Sequence, residues 1–543
     1  MGTSDTLASS EPAAGDSGDR RPAAKRASYR SGFVFGTLSF FAVSGLGLIS
    51  TVITSRLYGV QIIGEYALAY APVAALWVLS TAKEQQALIK EITGLPPRHP
   101  RVTQLFAAVF TFSWALTAVM ALLDMVVCWF VFRGPLNAPA LIGPAFVSIG
   151  GYAIVTNTGW NIDSIFSAFV AGRQLFWVRL HEGLSFIVLA TVLGLLWHSV
   201  WGMVIAMIGG SATALIHRAI AVRPFVRARL NRAEYRAGLR VLPDLLRFGL
   251  KATPGQIAQG ISQQGGVWAL GTVAPVTIVG AYSRALTIPQ RLVQASNRVT
   301  EVLYPTLVGR HSQGDRDGFD RALIDSIRYE VVGMLVIAAV IGGAAHSVLD
   351  VFGPGFGDAT SAMVLLALFP VLASVTVTQT QALWAVNRPG QTSVIAFARL
   401  AITLVLLVVL TPRIGMLGPA IALLAGYVVV IVLNGITLRS ALARPLRSTW
   451  PLHERFALVA AYAAGFGAAH WGEHVVSSTA GLLLCVALGI AAYLAAFLLC
   501  GGLNARDRRR LGEVLHRIRA RRSAGRATSP QPPGVAVEDS SAA

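Results

Sequence analysis

A chain of 543 residues that is 54% hydrophobic and only 13% charged is not a water-soluble globule, because soluble domains carry about 25% charged residues. Its net charge of +19 does not point to nucleic acid, since the basic residues sit between apolar runs in the positive-inside pattern of membrane proteins. Those runs recur at roughly 20 residues, enough to cross ~30 Å of hydrocarbon as a helix, whereas barrel strands would be ~10 residues of alternating polarity.

Residues 1–32 are rich in Ala, Ser, Gly and charge and read as a disordered cytoplasmic tail, with no cleavable signal peptide. Fourteen spans come next, at 33–55, 61–82, 103–132, 140–170, 177–197, 200–220, 248–271, 277–304, 330–349, 360–385, 391–410, 417–438, 456–471 and 479–500. The second carries Glu65, the seventh is polar and the thirteenth is short. The expected fold class is all-α, a polytopic membrane protein. Its parts are an N-terminal six-helix half at 33–220, a basic cytoplasmic loop at 221–247, a C-terminal six-helix half at 248–438, and an additional helix pair at 456–500. Residues 501–543 form a basic, largely disordered cytoplasmic tail, in which Leu511 to Ile518 is a short amphipathic helix suited to anionic lipid.

Loop charges test the count. With the N-terminus inside, the inside loops hold Lys83, Lys90, Arg98 and Arg101, then Arg173, then the cluster Arg218, Arg223, Arg227, Arg229, Arg232, Arg236, Arg240 and Arg247. Further on they hold Arg310, Arg316, Arg321 and Arg328, then Arg388, then Arg439, Arg444, Arg447 and Arg455. The outside loops hold only Arg56, Arg133 and Arg413. One missed or invented span would invert the later loops and destroy this asymmetry, so the count is even and both termini are cytoplasmic. Removing the last two spans together preserves it, so twelve spans also satisfy the charges. Cys128, Cys485 and Cys500 lie in apolar runs without metal-ligand spacing and read as core residues rather than a disulfide framework.

The chain repeats itself. Val60-Gln-Ile-Ile-Gly64-Glu-Tyr66 matches Val276-Thr-Ile-Val-Gly280-Ala-Tyr282, an offset of 276 − 60 = 216, and Gly202-Met-Val-Ile-Ala206 matches Gly418-Pro-Ala-Ile-Ala422 at the same offset. Six spans return the chain to its starting side, so the halves are expected in like orientation about an axis along the membrane normal, with substrate between them near the midplane.

Ser55-Arg56-Leu57-Tyr58-Gly59 followed by Gly64-Glu65-Tyr66 resembles the opening signature of bacterial polysaccharide flippases, the O-antigen and capsule type of the multidrug/oligosaccharidyl-lipid/polysaccharide exporter superfamily. Val279-Gly280-Ala281-Tyr282, Arg284, Tyr304-Pro305 and the Gly314-Asp315 loop are similar to the start of that family's second half. Phe352-Gly353 with Phe356, and Asn387-Arg388 leading to Ile414-Gly415-Met416-Leu417-Gly418, resemble its later signatures. The resemblance covers roughly residues 33–500 and implies movement of polyprenyl-diphosphate-linked oligosaccharide from the inner to the outer leaflet of the bacterial cytoplasmic membrane. Two departures stand out. Relatives often carry an Asp in the seventh span, where this chain reads Gln263-Gln264-Gly265-Gly266, which leaves ion coupling there open. The Asp-Ala-Phe pattern of the lipid II flippase branch is replaced by Glu65-Tyr66-Ala67-Leu68.

The eighth span carries the clearest chemistry. Arg284, Arg291 and Arg298 are seven apart and align on one helical face within about 20° per step, with Glu301 close to that face. Arg291 lies roughly 20 Å from the outer end at 1.5 Å per residue. An arginine facing lipid there costs ~3 kcal/mol, so the stripe must face protein or water. Lys251 and Arg399 add cations in the same half. Guanidinium matches phosphate oxygens through paired donors and keeps its charge inside a protein. A diphosphate is thus the expected partner, with the bland alternative that Arg284 and Arg298 snorkel to the interfaces. Arg56 reads first as an interfacial anchor.

Gln256, Gln259 and Gln263 share a face and either bind sugar hydroxyls or join helices. Glu65, Asp124 and Asp163 either balance charge or take up a coupling proton, with structural pairing favoured. Glu182 is expected to pair with Arg179 one turn back. Pro72, Pro254 and Pro289 permit kinks. No nucleotide loop, His-Glu-x-x-His motif or soluble catalytic domain appears, so no enzyme activity, cofactor or metal is expected. The expected partners are a polyprenyl-diphosphate-linked glycan, membrane lipid, and a polysaccharide polymerase or glycosyltransferases, with no nucleic acid. The alternatives are a cation-coupled multidrug exporter of the same superfamily, a lipid II flippase-like protein, or a membrane scaffold for glycan synthesis.

Overall fold

Apolar runs in a bilayer find no water to satisfy their backbones and must close their hydrogen bonds along the chain. The computed structural model describes residues 29–80, 84–227, 229–442, 451–475 and 479–503, and every regular element among them is helical. In order these are α1 (Tyr29–Leu79), α2 (Glu84–Ile92), α3 (Pro100–Arg133), α4 (Ile142–Gly151), α5 (Asn157–Ala168), α6 (Gly172–Leu196), α7 (Val200–Ala221), α8 (Arg232–Gly271) and α9 (Val276–Ser312). They continue as α10 (Arg316–Gly343), α11 (Ala345–Asp350), α12 (Thr360–Leu366), α13 (Phe369–Ala385), α14 (Pro389–Ile414), α15 (Leu417–Leu438), α16 (Leu452–Val475) and α17 (Thr479–Leu499). Among the described residues, nine helical stretches are long and apolar enough to cross a membrane. The fold is therefore all-α and polytopic. The helices that hold the expected spans at 248–271, 277–304, 330–349 and 456–471, α8, α9, α10 and α16, are not among the nine, because glutamines, arginines and other polar residues lower their mean hydropathy. Residues 1–28 and 504–543 of the expected tails (with the Leu511 to Ile518 segment), Lys83, Arg444 and Arg447 lie outside the described residues.

The first two expected spans join in α1 across a break at Gly59, whose φ of +73° and ψ of 170° only glycine adopts cheaply. The chain forms two compact units. Unit one contains the residues up to Leu57 and Pro72–Ile257, and unit two contains Tyr58–Ala71 and everything from Ala258 onward. The chain thus passes between units three times, next to Gly59, at Pro72 and close after Pro254.

In unit one, Leu88 and Ile92 of the short α2 pack with Leu105, Val109, Ile165, Phe166 and Phe225. Phe225 also accepts a 2.9 Å hydrogen bond from the Arg98 amide, which fastens the loop before α3. Between α4 and α5 the chain makes a π turn at Tyr152–Thr156. Next to it, Asn161 Nδ2 donates to Ser113 Oγ (3.1 Å), and Ser113 Oγ donates to Asn157 Oδ1 (3.2 Å).

In unit two the two copies of the repeated motif lie against each other. A Cβ on Gly64 would overlap the carbonyl of Val276, and a Cβ on Gly280 would overlap the carbonyl of Val60. These are the first and fifth residues of each copy, exchanged reciprocally. The last helix pair joins the unit through small residues: Gly343 lies under Phe466 and Ala469, Gly465 under Tyr493, and Gly489 against Val340 and Ala469. Such residues let membrane helices approach closely. A buried ion pair adds to this seam, Arg328 Nε to Glu454 Oε2 at 3.2 Å, while Arg328 Nη2 donates to the Gly502 carbonyl at 3.2 Å.

Asp315 caps α10. The Gly318 amide donates to its Oδ1 at 2.8 Å and Arg310 Nη1 to its Oδ2 at 2.9 Å. The backbone donor first, and the guanidinium second, hold this carboxyl below its ordinary value.

These contacts can be tested by substitution and by pH. Gly64→Ala and Gly280→Ala each press a methyl onto a backbone carbonyl that cannot rotate away, and each should cost about 1–3 kcal/mol, read as a lower Tm in detergent. Gly45→Ala, with nothing within 4 Å of the added Cβ, should leave Tm unchanged. Because the Asp315 carboxyl is depressed in the folded state, its contribution is present above the unfolded value and is lost as pH falls through the folded one. The Tm difference between wild type and Asp315→Asn should therefore shrink as pH is lowered from about 6 to about 3; a difference that stays constant would show the cap to be charge-independent.

Candidate functional site

The close approach at Gly64 and Gly280 sets the register of both helices beyond it. Two residues after Gly64 comes Tyr66, which stacks on Tyr70 with ring centroids 5.5 Å apart and planes 15° from parallel. Four residues after Gly280 comes Arg284, buried at 9% exposure. Arg284 interacts electrostatically with Tyr66 and with Arg291, and Arg291 interacts with Tyr70. The first two arginines of α9 are thus met by a pair of tyrosines that sequence reasoning did not single out as site residues. Their signal is the i, i+4 spacing of two aromatics in a span. Arg291 is half-buried, and among the described residues no carboxylate comes within ion-pair distance of it. Seven residues of helix separate the two cations by ~10.5 Å along the axis, so they repel by roughly 1.6 kcal/mol at an effective dielectric of 20. The side chains of Arg298, Glu301, Lys251 and Gln256 lie outside the described residues, although their backbones are helical.

A second cation lies deeper in the same unit. Arg399 on α14 is 3% exposed, and its guanidinium carbon sits 3.7 Å from the ring centroid of Tyr427 on α15. Gln263 Nε2 donates to the Tyr427 hydroxyl at 3.1 Å, and Phe369 packs against the Tyr427 ring at 5.1 Å between centroids, tilted by 58°. Gly426 makes room, since a Cβ there would stand 3.2 Å from Arg399 Cγ. Arg399 Nε and Nη2, and Thr403 Oγ1 beside them, are buried without a hydrogen-bond partner. Gln263 therefore joins helices, whereas Gln259 is half-buried one turn earlier.

The acids divide between the units. In unit one, Arg218 is 2% exposed and bridges Asp163 (2.9 Å from Nε) and Glu182 (2.8 Å from Nη2). Ser211 Oγ donates to the other Glu182 oxygen at 3.0 Å. The loop-charge pattern groups Arg218 with the inside-loop cations, yet it belongs to α7 and is paired inside the unit. Glu182 meets Arg218 rather than Arg179, and Arg179 instead stands 4.0 Å from Asp163. Asp124 on α3 is 6% exposed, with Cys128 Sγ 4.0 Å from one oxygen and no partner on the other. In unit two, Glu65 is half-buried with Gln61 Nε2 at 3.4 Å. Glu330, which the sequence places at the edge of the ninth span, is 5% exposed, accepts from Thr378 Oγ1 at 2.7 Å, and leaves its second oxygen unpartnered. Arg56 is exposed one turn before Gly59.

The helical arrangement and its sequence both have counterparts among known proteins. A family model described as "Polysaccharide biosynthesis protein" matches residues 30–310. No curated protein matches the chain by sequence. The structure resembles the lipid II flippase MurJ in an inward closed conformation, with a TM-score of 0.65 at 12% identity, over 85% of this chain and 98% of that one. It also resembles an inward-facing multidrug resistance MATE transporter of the MOP superfamily (TM-score 0.56, 15% identity, 77% and 96% covered). A third likeness is to a MOP superfamily transporter from Pyrococcus furiosus, described by the reversed polarity of its binding pocket (TM-score 0.53, 14% identity, 77% and 97% covered). At these identities the likeness is one of fold.

Removing the Arg218 bridge has a definite expected outcome. Arg218→Met strands the buried Asp163 and the half-buried Glu182 carboxylates, and breaking a buried pair costs about 3–5 kcal/mol. The variant should lose most of its folded, monodisperse fraction on gel filtration. Adding Asp163→Asn and Glu182→Gln should restore part of it; no recovery in the triple variant would mean that the arginine's packing, not its charge, holds the unit.

Proposed function

Because this chain belongs to the polysaccharide biosynthesis protein family, we propose that it carries a polyprenyl-diphosphate-linked oligosaccharide from the inner to the outer leaflet of the bacterial cytoplasmic membrane, for cell-surface polysaccharide. The carrying observation is the face of α9, where buried Arg284 and half-buried Arg291 repel each other beside Tyr66 and Tyr70. A diphosphate between two guanidinium groups turns that repulsion into two charge-assisted contacts. The tyrosine hydroxyls add neutral donors for phosphate or sugar oxygens. Arg399, with two unbonded nitrogens, is a further cation for the same anionic guest, and Lys251 and Arg298 remain candidates from the sequence alone. Gln256 and Gln259 remain candidates for sugar hydroxyls.

The finer architecture goes with this reading: fourteen spans, two like-oriented six-helix halves with an added pair, and both termini cytoplasmic. Alternating access fits a chain whose passages between units lie at a left-handed glycine and next to two prolines. Asp163 acts as a structural partner of Arg218, which leaves Glu65, Asp124 and the newly identified Glu330 as the acids free for coupling. The protein is a transporter rather than an enzyme. A multidrug exporter of cationic compounds fits less well, because the buried arginines would repel that cargo. A lipid II-type cargo shares the diphosphate, so the arginine face serves it equally; the lipid that accumulates on loss of the protein separates the two.

Neutralising the face with Arg284→Gln and Arg291→Gln should cut export at least about tenfold, since each charged hydrogen bond contributes roughly 1.5–3 kcal/mol. In cells that rely on the variant, lipid-diphosphate sugar should build up on the inner leaflet while the protein level in the membrane is unchanged. Normal surface polysaccharide in that double variant would sink the assignment.

A further inference from the structure

The last helix pair carries a feature that the transport reading leaves unused. His470 and His474 are one turn apart near the end of α16, and their Nε2 atoms stand 3.3 Å from each other. The rings meet edge to face, with centroids 4.7 Å apart and planes at 78°. His470 is further fixed from both sides. Phe466 stacks against its ring at 6.1 Å, and its Nδ1 faces Glu473 Oε2 at 3.5 Å. The second Glu473 oxygen accepts the Ser347 amide of α11 at 2.6 Å, so the carboxylate is anchored before it meets the histidine.

This arrangement has the chemistry of a metal-binding pair. A carboxylate 3.5 Å from Nδ1 favours the tautomer with the ring proton there and Nε2 as acceptor, toward the His474 Nε2 in the empty pair or toward a metal, as in histidine metal sites. Two nitrogens each ~2.05 Å from a tetrahedral ion stand ~3.3 Å apart, whereas a right-angle geometry would bring them to ~2.9 Å. The observed spacing matches the tetrahedral case. Glu473 is 10% exposed at its side chain, and among the described residues it has no cationic partner other than His470, so its charge is available to offset a dication.

The other histidine pair differs in its surroundings. His181 and His217 also place ring nitrogens 3.3 Å apart, but Arg218 comes directly after His217 and the nearby Glu182 is already paired with it. That environment opposes a second cation. Among the described residues no group of three or more His, Cys, Asp or Glu is placed to hold a metal. The α16 pair would therefore supply two ligands and leave two positions to water or to an oxygen donor.

We propose that His470 and His474 bind one divalent ion of the zinc type, oriented by Glu473, at the end of α16. Zinc titrated calorimetrically into untagged full-length protein in detergent should show one saturable site. His470→Ala or His474→Ala should each abolish it. Glu473→Gln should weaken it about tenfold through loss of ring orientation, and His181→Ala should leave it unchanged. Cobalt in place of zinc should give the intense visible bands of a four-coordinate ion, absent from the His470→Ala, His474→Ala double variant. Gel filtration of every variant guards against loss of fold. Equal zinc binding by the double variant, no saturable site in the wild type, or the pale spectrum of six-coordinate cobalt would each overturn the proposal.

Discussion

Backbone-to-backbone approach between the two copies of one short motif is the constraint on which the rest of unit two depends. Val60 and Gly64 meet Gly280 and Val276 in a reciprocal exchange. A self-complementary contact of this kind works only if both copies keep the small residue at the same position. The same offset that makes the repeat visible in the sequence therefore makes the contact possible in space. Everything downstream on each helix is registered by it: Tyr66 and Tyr70 on one side, Arg284 and Arg291 on the other. A side chain at either glycine would push apart the groups that create the buried positive field.

That field is unusual for what surrounds it. Burying a cation in a membrane protein is costly unless it is paired, and unit one obeys the rule, since Arg218 holds two carboxylates and Arg179 leans on one of them. Unit two keeps Arg399 over an aromatic ring with two nitrogens unbonded and, among the described residues, Arg291 without a carboxylate at ion-pair distance. The same residue type is thus used in two ways within one chain. Where the arginine is paired it closes a structure, and where, among the described residues, it is not, it keeps donors open to an anion.

Much of this is legible in the sequence. Apolar run length sets the helical class, because no other single element satisfies its own backbone in lipid. The arginines of α9 stand out as charges seven residues apart, and the repeat announces itself by a constant offset. Pairing across distance does not show. Arg218 falls in the last turn of α7 and looks like a loop cation by position alone; only the fold shows that Asp163 and Glu182 reach it. The i, i+3 spacing of Arg179 and Glu182 is readable and points to the wrong pair, while a partner 36 residues away leaves no mark. Tyr427 beneath Arg399 and Thr378 beside Glu330 are invisible for the same reason. The spacing of His470 and His474 is present in the sequence, but a short apolar span read only for its length conceals it.

The seam between α10 and the last helix pair has a consequence for how the protein is made. Arg328 and Glu454 are 454 − 328 = 126 residues apart, and at ~5–20 residues per second of synthesis the arginine emerges roughly 6–25 s before its carboxylate exists. During that interval α10 is made without the carboxylate that Arg328 meets in the folded unit. This ion pair therefore forms only once α16 has been made, after the rest of α10 and α13 are already available to pack. The glycine-lined groove of α10 then receives the final pair as a late-arriving clamp.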